Sequence, residues 1–107
     1  MNKRNVPNDV NFAEKNDVQY VNHTFTSHLQ LSSSLQPYAN SSKSIYAEFP
    51  QQLKPLAWDL TKNHIEMDLN GHINLPTDIG HGMEINEKAL NKYKVDVEIY
   101  VNKNRIF

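Results

Sequence analysis

Val21-Asn22-His23-Thr24-Phe25-Thr26-Ser27-His28-Leu29 decides the fold when it is read with Ala47-Glu48-Phe49-Pro50, which puts His23 and Glu48 25 residues apart. Each stretch is a short apolar run that stops at a polar side chain. Residues 18–22 and 45–47 are predicted strands. Between them, residues 27–39 are long enough for one helix, with Ser27 placed to cap it and Pro37 placed to end or kink it. A strand–helix–strand unit makes its strands parallel, so both polar residues leave the sheet at one edge. In (β/α) barrels that C-terminal edge carries the chemistry. Paired strands lie roughly 5 Å apart, so His23 and Glu48 are expected to face one ligand.

Length limits this reading at once. The chain has 107 residues, whereas a complete barrel of this type needs about 250. Net charge is −1 and no acidic or basic block occurs, so neither nucleic acid nor an anionic membrane surface is an expected partner. Cysteine is absent, which removes disulfides, thiol nucleophiles and zinc–cysteine sites. No apolar run approaches the ~20 residues of a membrane span and no signal-peptide core is visible, so the expected location is cytoplasmic. The 14 asparagines read as compositional drift or an AT-rich coding sequence, not as a polar function.

Three regions are expected. Residues 1–10 are polar and interrupted by Pro7, a disordered lead-in. Residues 11–50 carry the end of a helix and the strand–helix–strand unit. Residues 51–107 form a tail of different style. Within it, residues 65–69 and 73–75 flank Asn70-Gly71, a hairpin signal in which both turn residues take positive φ. Asn86 is placed to cap a short helix with Glu87 in its first turn and Lys92 near its end. Val95, Val97, Ile99 and Val101 alternate with Asp96, Glu98, Tyr100 and Asn102, the pattern of a half-buried strand. Gly80 and Gly82 lack the strand-before, helix-after context of a phosphate loop and read as a turn.

Several of these stretches together are similar to a known family. Val21-Asn22-His23-Thr24-Phe25, the Ser-Leu-Gln-Pro-Tyr-Ala run at 34–39, Ala47-Glu48-Phe49-Pro50 and Asp68-Leu69-Asn70-Gly71-His72-Ile73-Asn74-Leu75-Pro76 occur in the order seen at the C-terminal end of the enolase superfamily. The branch they resemble is that of mandelate racemase and muconate lactonizing enzyme, and within it the sugar-acid dehydratases. Gly80-His81-Gly82-Met83-Glu84-Ile85-Asn86-Glu87 resembles that branch's tail, with Ile79 where Pro is usual and His81 where Leu is usual. The implied fold class is α/β, the C-terminal fragment of an enolase-type modified (β/α) barrel, with a hairpin, short helix and final strand packing toward a capping domain.

The resemblance implies a magnesium-dependent lyase or isomerase that takes the proton next to a carboxylate. His23 matches the histidine that serves as general acid/base, and Glu48 the carboxyl group that hydrogen-bonds the substrate carboxylate. An imidazole suits proton transfer near neutrality. The family's metal ligands, its lysine base and the aspartate that pairs with the histidine sit on earlier strands that this chain does not carry. The chain therefore reads as truncated and inactive alone, with magnesium bound only in the intact enzyme. Expected partners are a separately encoded N-terminal fragment, or self-association, with a small carboxylate as substrate in the intact enzyme. The competing reading is a small interaction or structural protein without chemistry. His28 reads as structural, and His64, His72 and His81 as scattered, without metal-ligand spacing.

Overall fold

A computed structural model describes residues 6–106. Its first element is helix α1, Val6–Lys15. The expected lead-in over residues 1–10 is corrected here for residues 6–10, which are helical; residues 1–5 lie outside the described residues. Pro7 does not break the helix, because a first-turn residue needs no N–H donor and proline's fixed φ already suits a helix. Asp17, at φ 57°, closes the end, and the Val18 N–H donates back to the Ala13 carbonyl at 2.9 Å. Short polar residues tolerate this left-handed position better than most.

Helix α2, His28–Leu35, begins as expected at Ser27, whose hydroxyl accepts from the Gln30 N–H. It gives way at Pro37 to a 3-10 turn, Gln36–Asn40. Ser32 and Ser34, poor helix formers, find local partners: Ser32 donates to the His81 carbonyl, and Ser34 to the Leu31 carbonyl. Ser32 thereby ties α2 to the loop around Gly82, 49 residues away in sequence. Leu31 and Leu35 of α2 are buried with Ile65, and Tyr38, Phe49, Ile73, Leu75 and Met83 pack around them. This small cluster is the core.

Residues 18–25 and 44–49 run side by side and in the same direction, since Tyr20 meets Ser44 and Asn22 meets Glu48. They do not form the expected strands: no backbone ladder joins them among the described residues. At Glu48 a side chain stands in the ladder's place, the Asn22 carboxamide binding both its N–H and its C=O. The outward faces stay open, with Val21 and Ile45 exposed.

After helix α3, Pro55–Asp59, residue Thr61 forms an antiparallel bridge with Ile85. The expected hairpin around Asn70-Gly71 is reduced to a single bridge, Met67 with Ile73. Only Gly71 takes positive φ, at 82°. The Asp68 carboxylate accepts the N–H groups of Asn70 and His72, each at 2.8 Å. The Gly71 N–H bonds the Asp68 carbonyl, and the Asp68 N–H bonds the His72 carbonyl. This is a three-residue loop closed by a glycine bulge, which relieves Asn70 of the left-handed conformation.

Helix α4, Glu87–Tyr93, is capped by Asn86 as expected, with its side chain accepting from Ala89. The final strand differs from expectation. Only β1, Tyr100–Val101, is paired, antiparallel to β2, Asn104–Arg105, through a turn in which Asn102 and Lys103 take φ 51° and 66°. Val95, Val97, Ile99 and Val101 are all exposed rather than half-buried, because no second layer covers either face among the described residues. The radius of gyration, 17.1 Å, exceeds the ~13 Å of a compact chain of this length.

Candidate functional site

His23 and Glu48 meet directly. His23 Nδ1 lies 2.8 Å from Glu48 Oε2, with side-chain exposures of 78% and 42%. The two residues come from neighbouring extended segments and stand at the same edge, where sequence reasoning placed them. A carboxylate only accepts, so the neutral imidazole donates from Nδ1 and keeps its lone pair on Nε2. That is the tautomer of an imidazole able to take a proton. Phe25 packs edge-on against the ring, with centroids 4.9 Å apart.

Without a substrate, the Glu48 carboxyl group faces His23. As a carboxylate, Glu48 accepts from the imidazole N–H in this contact. The magnesium of the resemblance finds no ligand set among the described residues. Among the described residues no group of three or more His, Cys, Asp or Glu side chains converges, and the one carboxylate at the site is already paired with His23.

Asn22 was not singled out by sequence reasoning, yet it is 1% exposed directly beneath the pair. Its Nδ2 donates to the Glu48 carbonyl at 3.0 Å and to Ser34 Oγ at 3.3 Å, and its Oδ1 accepts from the Glu48 N–H at 2.9 Å. Its own N–H donates to the Tyr38 hydroxyl at 3.1 Å. That hydroxyl has one proton, and the shorter contact, 2.6 Å to the Tyr46 carbonyl, takes it. Burial raises the pKa of Tyr38 above the ordinary phenol value, keeping it a donor. Burial alternates through this stretch, Asn22 and Thr24 in, Val21, His23 and Phe25 out. The available signal was the period of two, misread because the apolar residues lie on the outer face.

A second cluster lies on the far side of α2. His28 is 2% exposed. Its Nδ1 accepts from the Ile65 N–H at 2.9 Å, and its ring stands edge-on to Trp58 and His64. Trp58 and His64 are stacked at 3.7 Å, and His64 Nε2 donates to the Trp58 carbonyl at 2.9 Å. Burial, then the neighbouring His64, pushes His28 below the ordinary imidazole value. His28 is structural, as expected. His64 is not scattered but part of this cluster, brought there by the turn after α3. His72 lies 3.4 Å from Asp68 on the exposed loop, and His81 contributes its carbonyl to Ser32. No helix among the described residues is long and apolar enough to cross a membrane.

No family model matches the chain, and no curated protein sequence matches it either. Among solved structures it is similar to the crystal structure of a predicted mandelate racemase from Rhodobacter sphaeroides, at 39% identity and a TM-score of 0.82. The alignment covers 95% of this chain and 26% of that one, so the chain spans about a quarter of its relative's length. Identity of this degree over nearly every residue, together with the agreement in shape, carries descent as well as fold. The chain belongs with the enolase superfamily in its mandelate racemase branch, as the counterpart of a C-terminal part.

Proposed function

We propose that this chain is the C-terminal component of an enolase-type dehydratase or racemase acting on hydroxy or sugar acids. In this reading it is inactive alone and works when a separately encoded N-terminal piece completes the barrel. His23 takes or returns the proton next to the substrate carboxylate through Nε2. Glu48 holds the imidazole in the tautomer that leaves Nε2 unprotonated and stabilises the imidazolium once formed. The observation that carries the reading is the 2.8 Å contact between His23 and Glu48, at one edge of two parallel segments. The likeness over 95% of the chain supports it.

The exposed apolar residues of the tail support the need for a partner. Val95, Val97, Ile99 and Val101 present an uncovered apolar row that a companion polypeptide would bury. They also favour the second reading, an interaction protein without chemistry. The experiment that separates the two is reconstitution. The purified chain is assayed for exchange of the α-proton and for dehydration across a panel of hydroxy and sugar acids with added magnesium. It is assayed alone and after coexpression with the N-terminal three-quarters of the Rhodobacter relative. The chain alone is expected to be silent and the reconstituted pair active. His23→Asn should abolish exchange on its side of the substrate while copurification persists. Activity of the chain alone, lost on His23→Asn, would show a complete small enzyme instead. Assembly without any exchange would favour the interaction protein.

A further inference from the structure

We infer that Asn22 is a positioning residue: its buried carboxamide grips the main chain of Glu48 and thereby sets the spacing of the His23–Glu48 pair. Residues 18–25 and 44–49 run alongside each other with no main-chain hydrogen bond between them among the described residues. Their register is held instead by side chains, Ser44 accepting from the Tyr20 N–H at 2.9 Å and Asn22 binding Glu48. The Asn22 contact is two-sided. Nδ2 donates to the Glu48 carbonyl and Oδ1 accepts from the Glu48 N–H, at 3.0 and 2.9 Å. A carboxamide presents a donor and an acceptor side by side, as a peptide group does, so it acts as a substitute strand neighbour for this one residue.

Sequence position makes this contact decisive for the pair. Along an extended segment successive side chains point to opposite faces, so Asn22 points in where His23 points out. The grip therefore runs from the residue next to His23 to the main chain of Glu48 itself. Asn22 is itself fixed from three directions: its N–H on Tyr38, its Nδ2 also on Ser34, and complete burial. The nearest substitutes do not fit. Asp would set an acceptor against the Glu48 carbonyl, Gln adds a methylene to a buried side chain, and Ser reaches neither atom with both bonds. The inference rests on the proposed function only for its consequence in catalysis; the positioning itself is a property of the chain alone.

The test is read in the 107-residue chain by nitrogen-15 NMR of the imidazole rings, independently of any reconstituted activity. In the parent chain the His23 ring is expected in its Nδ1–H form, and Glu48→Gln should shift its ring resonances. In Asn22→Ser the preference for that tautomer should be lost, and Glu48→Gln should then leave the ring unmoved. Ser32→Ala, which removes a buried hydroxyl from α2, should leave the His23 resonances in place. A purely structural role for Asn22 would lower stability equally in both variants without a separate effect on the ring. If folded Asn22→Ser keeps the parent His23 spectrum, the inference is wrong. If Asn22→Ser does not fold, hydrogen exchange in the parent decides. A Glu48 amide that exchanges as slowly as the Leu31 amide of α2 supports the grip, and one exchanging at the unprotected rate overturns it. Failure of reconstitution would sink the proposed function and leave this result standing.

Discussion

Replacing His28 with Phe tests how the core meets the turn after α3. The Ile65 N–H, on a residue 6% exposed, has His28 Nδ1 as its acceptor at 2.9 Å. Phe preserves a ring against Trp58 and His64 but removes that acceptor, leaving a buried donor unpaired at a cost of about 1–3 kcal/mol. Protonation of His28 does the same in the parent chain, because it puts a hydrogen on Nδ1 and sets donor against donor. His64 and Trp58 pack on the ring and bring no negative charge; Glu66 lines the adjoining cavity, of about 350 Å³, and is not among the causes of the His28 shift. Burial and His64 both lower the folded value below the reference 6.5. Between the folded value and 6.5 the unfolded chain then binds more protons, so stability rises with pH there. The contribution is complete above about 6.5 and is lost as pH falls through the folded value. Urea unfolding followed by circular dichroism at about pH 7.5 and about 5.5, either side of the reference value, should show the parent less stable at the lower pH. The gap between parent and His28→Phe should narrow there. His28→Asn, whose Oδ1 takes the place of Nδ1, should keep the hydrogen bond and lose the pH dependence. A His28→Phe protein within about 0.5 kcal/mol of the parent at the higher pH, or one with an equal deficit at both, refutes the reasoning.

Two further outcomes follow from backbone and surface. Gly82→Ala should destabilise by more than the ~1–2 kcal/mol of a left-handed conformation, since φ is 65° and the new Cβ would lie 2.4 Å from Pro76 Cβ. Gly71→Ala, with φ 82° and nothing within 4 Å of its Cβ, should show the conformational part alone; equal losses in urea titrations would count against this. Sedimentation velocity should show concentration-dependent association of the parent through its uncovered tail, reduced in Val97→Lys. A parent that stays monomeric at every concentration contradicts that expectation.

Local signals in the sequence determined more of the ends of elements than of their partners. Ser27 and Asn86 cap helices, Pro37 ends one, and Gly71 closes a turn, because each depends on chemistry within a few residues of itself. That His23 and Glu48 stand side by side was legible for another reason: two apolar runs separated by one helix leave few arrangements, though their direct contact was not foreseen. Pro7 was misjudged since its effect depends on where the helix starts, which only the fold establishes. Val95 to Val101 alternate as a half-buried strand does, yet alternation states only that one face suits burial; a covering layer has to be present for burial to occur. Asn22 shows the converse. Nothing distinguishes it among 14 asparagines until the fold brings Glu48 within reach of its carboxamide. Tertiary structure decided which polar side chains stand in for main-chain partners. A buried hydrogen bond joins residues far apart in sequence, and its worth depends on the exclusion of water around both.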